Sequence, residues 1–275
     1  MRMSLWIAAA SVLIGGAIRP AWSQPADSAP AAGAQDTENL AKQLANPISS
    51  LISVPFQSNW DCCYGPAKAN FYTLNVQPVV PVSISKDWNV IVRTIVPIVS
   101  RPSTGPGVSS ASGLSDVTQS FFFSPKAAVG GWILGAGPVI VYPLGSSQLG
   151  SQKWSAGPTV VALKQAGHVT VGVLANQVWS FAGSSSRADV DALFVQPFLN
   201  YTMADTTSFT LSSESSYDWT TRSWNVPVIF TVGKIFHFGG QLVQLSGSAK
   251  DYVVSPSEGA DWGLRATATL LFPKH

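Results

Sequence analysis

The chain has 275 residues, of which 46% are hydrophobic, 11% aromatic and only 11% charged. A soluble domain carries roughly 25% charged residues, so charge is less than half the usual share while the apolar share is ordinary. Ser, Thr, Asn, Gln, 23 Gly and 19 Pro fill the difference, which excludes a charged helical bundle, a coiled coil and a basic nucleic-acid binder; a mean hydropathy of +0.21 excludes a disordered chain.

Residues 1–23 read as a secretory signal peptide. Arg2 supplies the positive start, Leu5 to Ile18 the apolar stretch, and Ala21-Trp22-Ser23 the small residues ahead of a cleavage before Gln24. The apolar run is short for a membrane helix of about 20 residues and is interrupted by Gly15, Gly16 and Pro20. Losing Arg2 and Arg19 leaves fourteen basic residues against fourteen acidic ones, a net charge of zero. Residues 24–37 read as a flexible Ala/Pro/Gly leader. Residues 38–50 open on a short predicted helix with Leu40 and Leu44 on one face, stopped ahead of Pro47. It either tucks into the following domain or lies on a surface.

From Leu51 onward the period is two. About twelve segments rich in Val, Ile, Phe, Thr and Trp, bounded by turn residues, are predicted strands: 51–59, 70–84, 88–99, 114–124, 131–143, 154–163, 168–181, 191–201, 206–216, 223–236, 241–254 and 262–272. In the last, Trp262, Leu264, Ala266, Ala268, Leu270 and Phe272 share one face, and Gly263, Arg265, Thr267 and Thr269 the other. In 168–181, Val169, Val171, Val173, Trp179 and Phe181 oppose Thr170, Gly172, Asn176 and Ser180. Polar faces of Ser, Thr, Asn, Gln and Gly, without Lys and Glu, suit the interior of a closed barrel surrounded by lipid. Residues 51–275 are therefore expected to form an all-β, antiparallel transmembrane barrel of about twelve strands.

The predicted connections alternate between short turns and longer Ser/Gly-rich loops, the latter at 60–69, 100–113, 144–153, 182–190, 217–222 and 255–261. An even strand count puts both chain ends on the short-turn side. Trp154, Trp179, Trp224 and Trp262 fall near the loop-side boundary on apolar faces, and Trp88 and Trp132 near the turn side. Such a distribution matches two aromatic girdles. Prolines inside predicted strands (Pro78, Pro97, Pro138, Pro158, Pro197 and Pro227) require bulges or breaks.

The stretches LISVPFQSNWDCCYGP and NVQPVVPVSISKDWNVIVRTIVPIV, the tetrapeptide GLSD before QSFFFSP, then GVLANQVWSFAG, VQPFLNY and the ending LLFPK, resemble a bacterial outer-membrane family. That family is labelled MetA-pathway of phenol degradation, and its members also carry the labels transporter and neuromedin U. The resemblance runs from about Thr37 to Lys274. It implies an outer-membrane barrel of a Gram-negative envelope, folded with the barrel-assembly machinery and linked to uptake of small, often aromatic or apolar compounds. It implies no catalytic residue and no particular substrate. The chain departs from the family at Asp61-Cys62-Cys63-Tyr64, and from the generic barrel-assembly signal, which ends on an aromatic residue, in that Phe272 is followed by Pro273-Lys274-His275.

Cys62 and Cys63 fall in a predicted outer loop in an oxidising compartment. A vicinal disulfide, a bond to another chain and two inert loop residues are the alternatives. No ligands cluster nearby to make a metal site. His168 and His237 lie at predicted turns and His275 is terminal, so no His sits mid-strand to serve a nucleophile. No catalytic residue, cofactor or metal is therefore expected. Alternation points Arg93, Asp116, Glu214, Lys250 and Arg265 into the lumen, with all but Arg93 toward the loop-side mouth. They form either a constriction that sorts solutes by charge or paired struts that stiffen a filled barrel. Lys234 falls on the lipid face near the turn side and can reach the headgroups. The expected activity is passive uptake of small apolar or aromatic molecules. A closed structural or ligand-binding envelope barrel is the alternative from another class, and a lipid-modifying barrel enzyme a further one.

Overall fold

The structure, a computed structural model, describes residues 39–273. The predicted signal peptide and leader lie outside the described residues. Among those described, fifteen segments join into one antiparallel sheet. In chain order they are β1 (Ile52–Tyr64), β2 (Ala69–Val76), β3 (Val79–Ser83), β4 (Trp88–Arg101), β5 (Ala111–Leu114), β6 (Val117–Pro125), β7 (Ile133–Tyr142), β8 (Lys153–Ala166), β9 (Val169–Gly183), β10 (Asp191–Thr202), β11 (Ser208–Ser213), β12 (Ser215–Asp218), β13 (Ser223–Phe238), β14 (Gln241–Val254) and β15 (Trp262–Phe272). Three spans are each split in two. The breaks fall at Gln77-Pro78 between β2 and β3, at Ser115-Asp116 between β5 and β6, and at Glu214 between β11 and β12. Fifteen segments thus make twelve spans, as the alternation predicts.

The sheet closes on itself. β15 pairs with β1 from Ile52↔Phe272 to Cys62↔Trp262, and β9 pairs with β10 from Tyr201↔Val169 to Asp191↔Trp179. Closure leaves no open edge, so the backbone N–H and C=O groups of the wall are paired without water. The outside is apolar along its height: Val169, Val171, Val173, Phe230, Leu245 and Leu264 are all exposed. The residues between them point inward, as Thr170, Ser248 and Thr269 do, each 9% exposed or less. A cylinder with an apolar exterior and satisfied backbone is stable in lipid and unstable as a water-exposed surface. All six tryptophans expected in the girdles are exposed: Trp88, Trp132, Trp154, Trp179, Trp224 and Trp262. Five stand at or beside strand ends, and Trp179 lies four residues before the end of β9, level with the start of β10; a ring with an apolar body and a polar N–H sits best at a lipid–water boundary.

The strand prolines mark gaps in the ladder. Pro138 of β7 faces Pro158 of β8. Their missing N–H groups would have paired with the strands on either side, and there the ladders skip. The β6–β7 register passes from Ser120↔Val139 to Phe123↔Ala136, and the β8–β9 register from Ala156↔Trp179 to Thr159↔Asn176, without a shift in either case. Gly137 and Gly157 precede the two prolines, and a Cβ on either would collide with a carbonyl oxygen, that of Phe121 or Gln177. Pro227 lies at a bulge against β14, and Pro78 at the break between β2 and β3.

One predicted boundary is corrected. The 60–69 loop is a four-residue turn at 65–68, because β1 continues to Tyr64. Cys62 and Cys63 therefore belong to the wall of the barrel and not to an outer loop. Pairing to β15 persists through Cys62↔Trp262, and pairing to β2 resumes at Tyr64↔Ala69 after a bulge. The polar inward face of β1, Gln57, Asn59 and Asp61, has the composition of a loop while being strand.

Among the described residues the N-terminal helix, α1, spans 39–44 and ends ahead of Pro47. It lies against the turn-side end of the barrel interior. Ala41 is 1% exposed and packs with Leu51, Ile235 and Leu271, flanked by Leu40, Leu44 and Leu242. Beyond it, Ile48 enters a second cluster with Ile91, Phe122, Val161, Leu163 and Leu174. Gly135 leaves the space for it, since a Cβ there would stand 3.0 Å from Ile48 Cδ1. Burying Ile48 contributes roughly 1.5–3 kcal/mol. Gln165 Nε2 adds a hydrogen bond to the Lys42 carbonyl at 2.8 Å.

Candidate functional site in the barrel lumen

Above the apolar packing, the inward faces of β1, β14 and β15 are polar, and adjacent registers bring their side chains together. Lys250 lies beside Gly263, so its chain meets β15 where no side chain competes. Its ammonium pairs with Asp61 at 2.5 Å. Tyr252, two residues along β14, donates its hydroxyl to the same carboxylate at 2.9 Å. Asn59 joins this pair to the next: its Oδ1 accepts from Lys250 Nζ at 3.2 Å and from Arg265 Nε at 2.6 Å. Arg265 then grips Glu214 with two parallel bonds, Nη1 to Oε1 at 2.8 Å and Nη2 to Oε2 at 2.7 Å. The planar guanidinium matches a carboxylate in this fork geometry. Glu214 occupies the break between β11 and β12, three strands from β15, so the pair reaches over β13 and β14 on the lumen side. The result is one chain of hydrogen bonds, Tyr252–Asp61–Lys250–Asn59–Arg265–Glu214.

Arg93, on β4, belongs to a different arrangement. Its Nη2 donates to Gln77 Oε1 at 2.9 Å. Gln77 sits at the β2–β3 break, is 7% exposed, and donates to Gln57 Oε1 at 3.0 Å. Asn75 donates to that same oxygen at 3.2 Å. The break frees the Gln77 side chain to turn along the wall and hold the guanidinium. Among the described residues, no carboxylate lies within ion-pair distance of Arg93.

Two cavities flank Arg93. One of about 260 Å³ occupies the turn side, with Pro47 and Ser49 of the N-terminal segment, Ser53, Gln77, Asn200 and Thr269 on its walls. The other, of about 250 Å³, lies on the loop side, between Thr118 and Ser120 of β6, Val141 of β7, Val178 of β9 and Phe194 of β10. Arg93 borders both.

Of the five charged residues expected in the lumen, Lys250, Arg265 and Glu214 come together, and Arg93 stands near them on another wall. Asp116 is placed apart. It accepts hydrogen bonds from Gly145 N at 3.1 Å and from the backbone and hydroxyl of Ser151, each at 2.6 Å, and so pins the 143–152 loop. It lies at the Ser115-Asp116 break between β5 and β6. Asn59, Asp61, Gln77 and Tyr252 had escaped sequence reasoning. Asn59 lies within the predicted strand 51–59, and strand parity would have found Asp61 had β1 been read through to Tyr64. Cys62 and Cys63 are joined by a disulfide one residue beyond Asp61. Lys234 pairs with Asp205 of the neighbouring turn at 2.7 Å. Among the described residues, no group of three or more His, Cys, Asp and Glu could hold a metal ion.

The fold and lumen define a twelve-strand antiparallel membrane barrel with a short N-terminal helix. No family model matches the sequence, and no curated protein matches it. Among solved structures, the barrel is similar to the crystal structure of an outer-membrane channel from Pseudomonas putida F1. The TM-score is 0.62 and the identity 16%, over 81% of this chain and 94% of that one. A porin refined at 1.8 Å is more distant, at TM-score 0.37 and 9% identity over 81% and 97% of the two chains. The outer-membrane protein OmpT of Vibrio cholerae gives TM-score 0.41 and 10% identity over 80% and 97%.

Proposed function

We propose that the protein is a passive channel of the bacterial outer membrane for small apolar or aromatic molecules. The observation that carries this reading is the pair of cavities in one closed barrel, one on the turn side and one on the loop side, with Arg93 on the wall of both. Water-sized space on both sides of a single residue is what a narrow conduit needs, and neither nucleotide nor metal enters the mechanism. Apolar walls around Val141, Val178 and Phe194 favour solutes poor in hydrogen-bonding groups. The likeness to the Pseudomonas putida channel supports the outer-membrane reading. The resemblance to the phenol-degradation family supports the aromatic one.

Planar-bilayer recording of the purified protein tests it. Discrete conductance steps in KCl above bare lipid are expected, together with faster entry of small neutral solutes into proteoliposomes. A lipid baseline in both would sink the channel. It would leave a second reading, a closed ligand-binding barrel, which the packing of Ala41 and Ile48 inside the turn-side end favours.

A further inference from the structure

The charges facing the lumen network do not cancel. Asp61 and Glu214 supply two anions, and each is gripped by its own cation, Lys250 and Arg265. Arg93 is the third cation, and its hydrogen-bond partner is the neutral amide of Gln77. Glu214 acts on Arg93 only through space and is already forked by Arg265, so a guanidinium whose contact partner is neutral, inside a membrane barrel, is costly unless an anion or water visits it. The geometry leaves room for such a visitor. Beside Arg93 lies the loop-side cavity of about 250 Å³, and most of its lining is hydrocarbon: Ile95, Phe122, Val139, Val141, Leu174 and Phe194, with Asn176 and Ser216 among them. An apolar cavity of about 150 Å³ is enough for a benzene ring, so this one holds a ring together with a short polar substituent. On the near side, Ser120 stands directly opposite Arg93 in the β4–β6 ladder and lines the same cavity, as does Thr118. A forked cation with hydroxyls beside it, in a lining that is otherwise mostly apolar, complements a flat apolar molecule ending in a carboxylate.

We propose that Arg93 and the loop-side cavity form a binding site for a small aromatic carboxylate, which the barrel holds on its way through. This names a substrate class within the proposed channel function and rests on that reading for its transport step, but not for binding. Arg93 fixes the carboxylate; Thr118 and Ser120 are placed to donate to it; Phe122 and Phe194 flank the ring. Gln77 is a positioning residue that keeps the guanidinium at the junction of the two cavities. No bond is made or broken.

The test measures binding of 4-fluorobenzoate to the full mature chain in detergent by fluorine NMR, with 4-fluorobenzyl alcohol as the uncharged control. Saturable binding of the acid, at least ten-fold tighter than the alcohol, is expected. Arg93→Gln should weaken the acid ten-fold or more and leave the alcohol unchanged. Should that variant fail to fold, Gln77→Glu carries the same test, because it places a competing carboxylate on Arg93 at nearly constant shape; it too should weaken the acid about ten-fold. Val141→Trp, which fills the cavity and keeps the charge, should abolish binding of both probes. Equal affinity for acid and alcohol, equal binding in wild type and the Arg93 or Gln77 variant, or chloride displacing the acid one for one, as at a plain anion site, would overturn the proposal. Bilayer conductance separates the two claims. Acid binding without conductance leaves the site and removes the channel, and conductance without acid binding does the reverse.

Discussion

Glu214 and Arg265 show what a single residue does in this barrel. Each is nearly enclosed, with side-chain exposures of 28% and 10%, and their forked pair spans two intervening strands. Removing one member leaves the other as an uncompensated charge in a confined interior, which costs about 3 kcal/mol. Glu214→Gln should therefore destabilise the barrel by about that amount in urea unfolding from lipid vesicles. Glu214→Gln combined with Arg265→Gln should recover a good part of it, and strictly additive losses would show that the pair is not a coupled unit. At the turn side, the hydrogen bond from Lys234, aided by those from Thr207, holds the Asp205 carboxyl down at about 2. A depressed acid stabilises the folded state above its unfolded pKa of roughly 3.9, and that contribution fades as pH falls toward 2. The unfolding midpoint should drop across this window in the native chain and drop less in Asp205→Asn. Equal slopes would discard the linkage. Legibility at this scale followed parity. Arg93, Glu214, Lys250 and Arg265 could be placed inward from their neighbours alone. Asp116 and Glu214 both sit at strand breaks, which alternation does not show; Glu214 meets Arg265 across the lumen and Asp116 binds the 143–152 loop. Asp61 was hidden because it falls in the stretch 60–69, which reads as a loop although β1 continues to Tyr64.

Among the elements, the N-terminal segment is the one that alternation could not place. A helix with Leu40 and Leu44 on one face has an apolar stripe to bury, but nothing local says where. The signal was present on the other side of the contact. Ile91, Phe122, Leu174 and Leu271 occupy positions on the inward, otherwise polar faces of their strands, and all four are 3% exposed or less. Large apolar residues on the wet side of a barrel need an apolar partner inside it, and Ala41 and Ile48 supply one. Cutting Ile48 back to Ala loses buried methyl groups and leaves a cavity, at a cost of about 2 kcal/mol or more. Undocking of the segment should then be about 30-fold more frequent, at 1.4 kcal/mol per factor of ten. Hydrogen exchange reads this at the amides of Ala45, Asn46 and Ser49, which bond within the segment. The amides of β13 and β14 should be unaffected, and uniform acceleration everywhere would mean that the segment opens only with the whole barrel. The prolines are explained at this scale too. Each Gly-Pro pair replaces two ladder positions where a regular strand would have crowded a neighbouring carbonyl, and single-residue propensity alone reads that as disruption.

For the whole molecule, the low share of charged residues follows from closure. One face of every span meets hydrocarbon and the other meets a narrow interior, so little surface calls for Lys or Glu. This makes a demand on the environment that no soluble sandwich would make. Phe230 lies midway along β13 and is 50% exposed, while Trp224 lies near the loop-side end of the same strand and is 42% exposed. In water, an arginine at either place would be nearly neutral or favourable, since each would replace an exposed aromatic ring with a hydrated group. In a bilayer, a cation at the midplane costs about 2–4 kcal/mol and one at the interface about 0–1. Phe230→Arg should thus lower unfolding free energy in lipid vesicles by about 2–4 kcal/mol, and Trp224→Arg by less than about 1. The difference should shrink in a thinner bilayer, where position 230 lies closer to both surfaces. Two equal and small effects would mean that the apolar exterior packs against protein and that the closed sheet stands in water. The depth profile therefore decides between a membrane barrel and any soluble arrangement of the same strands.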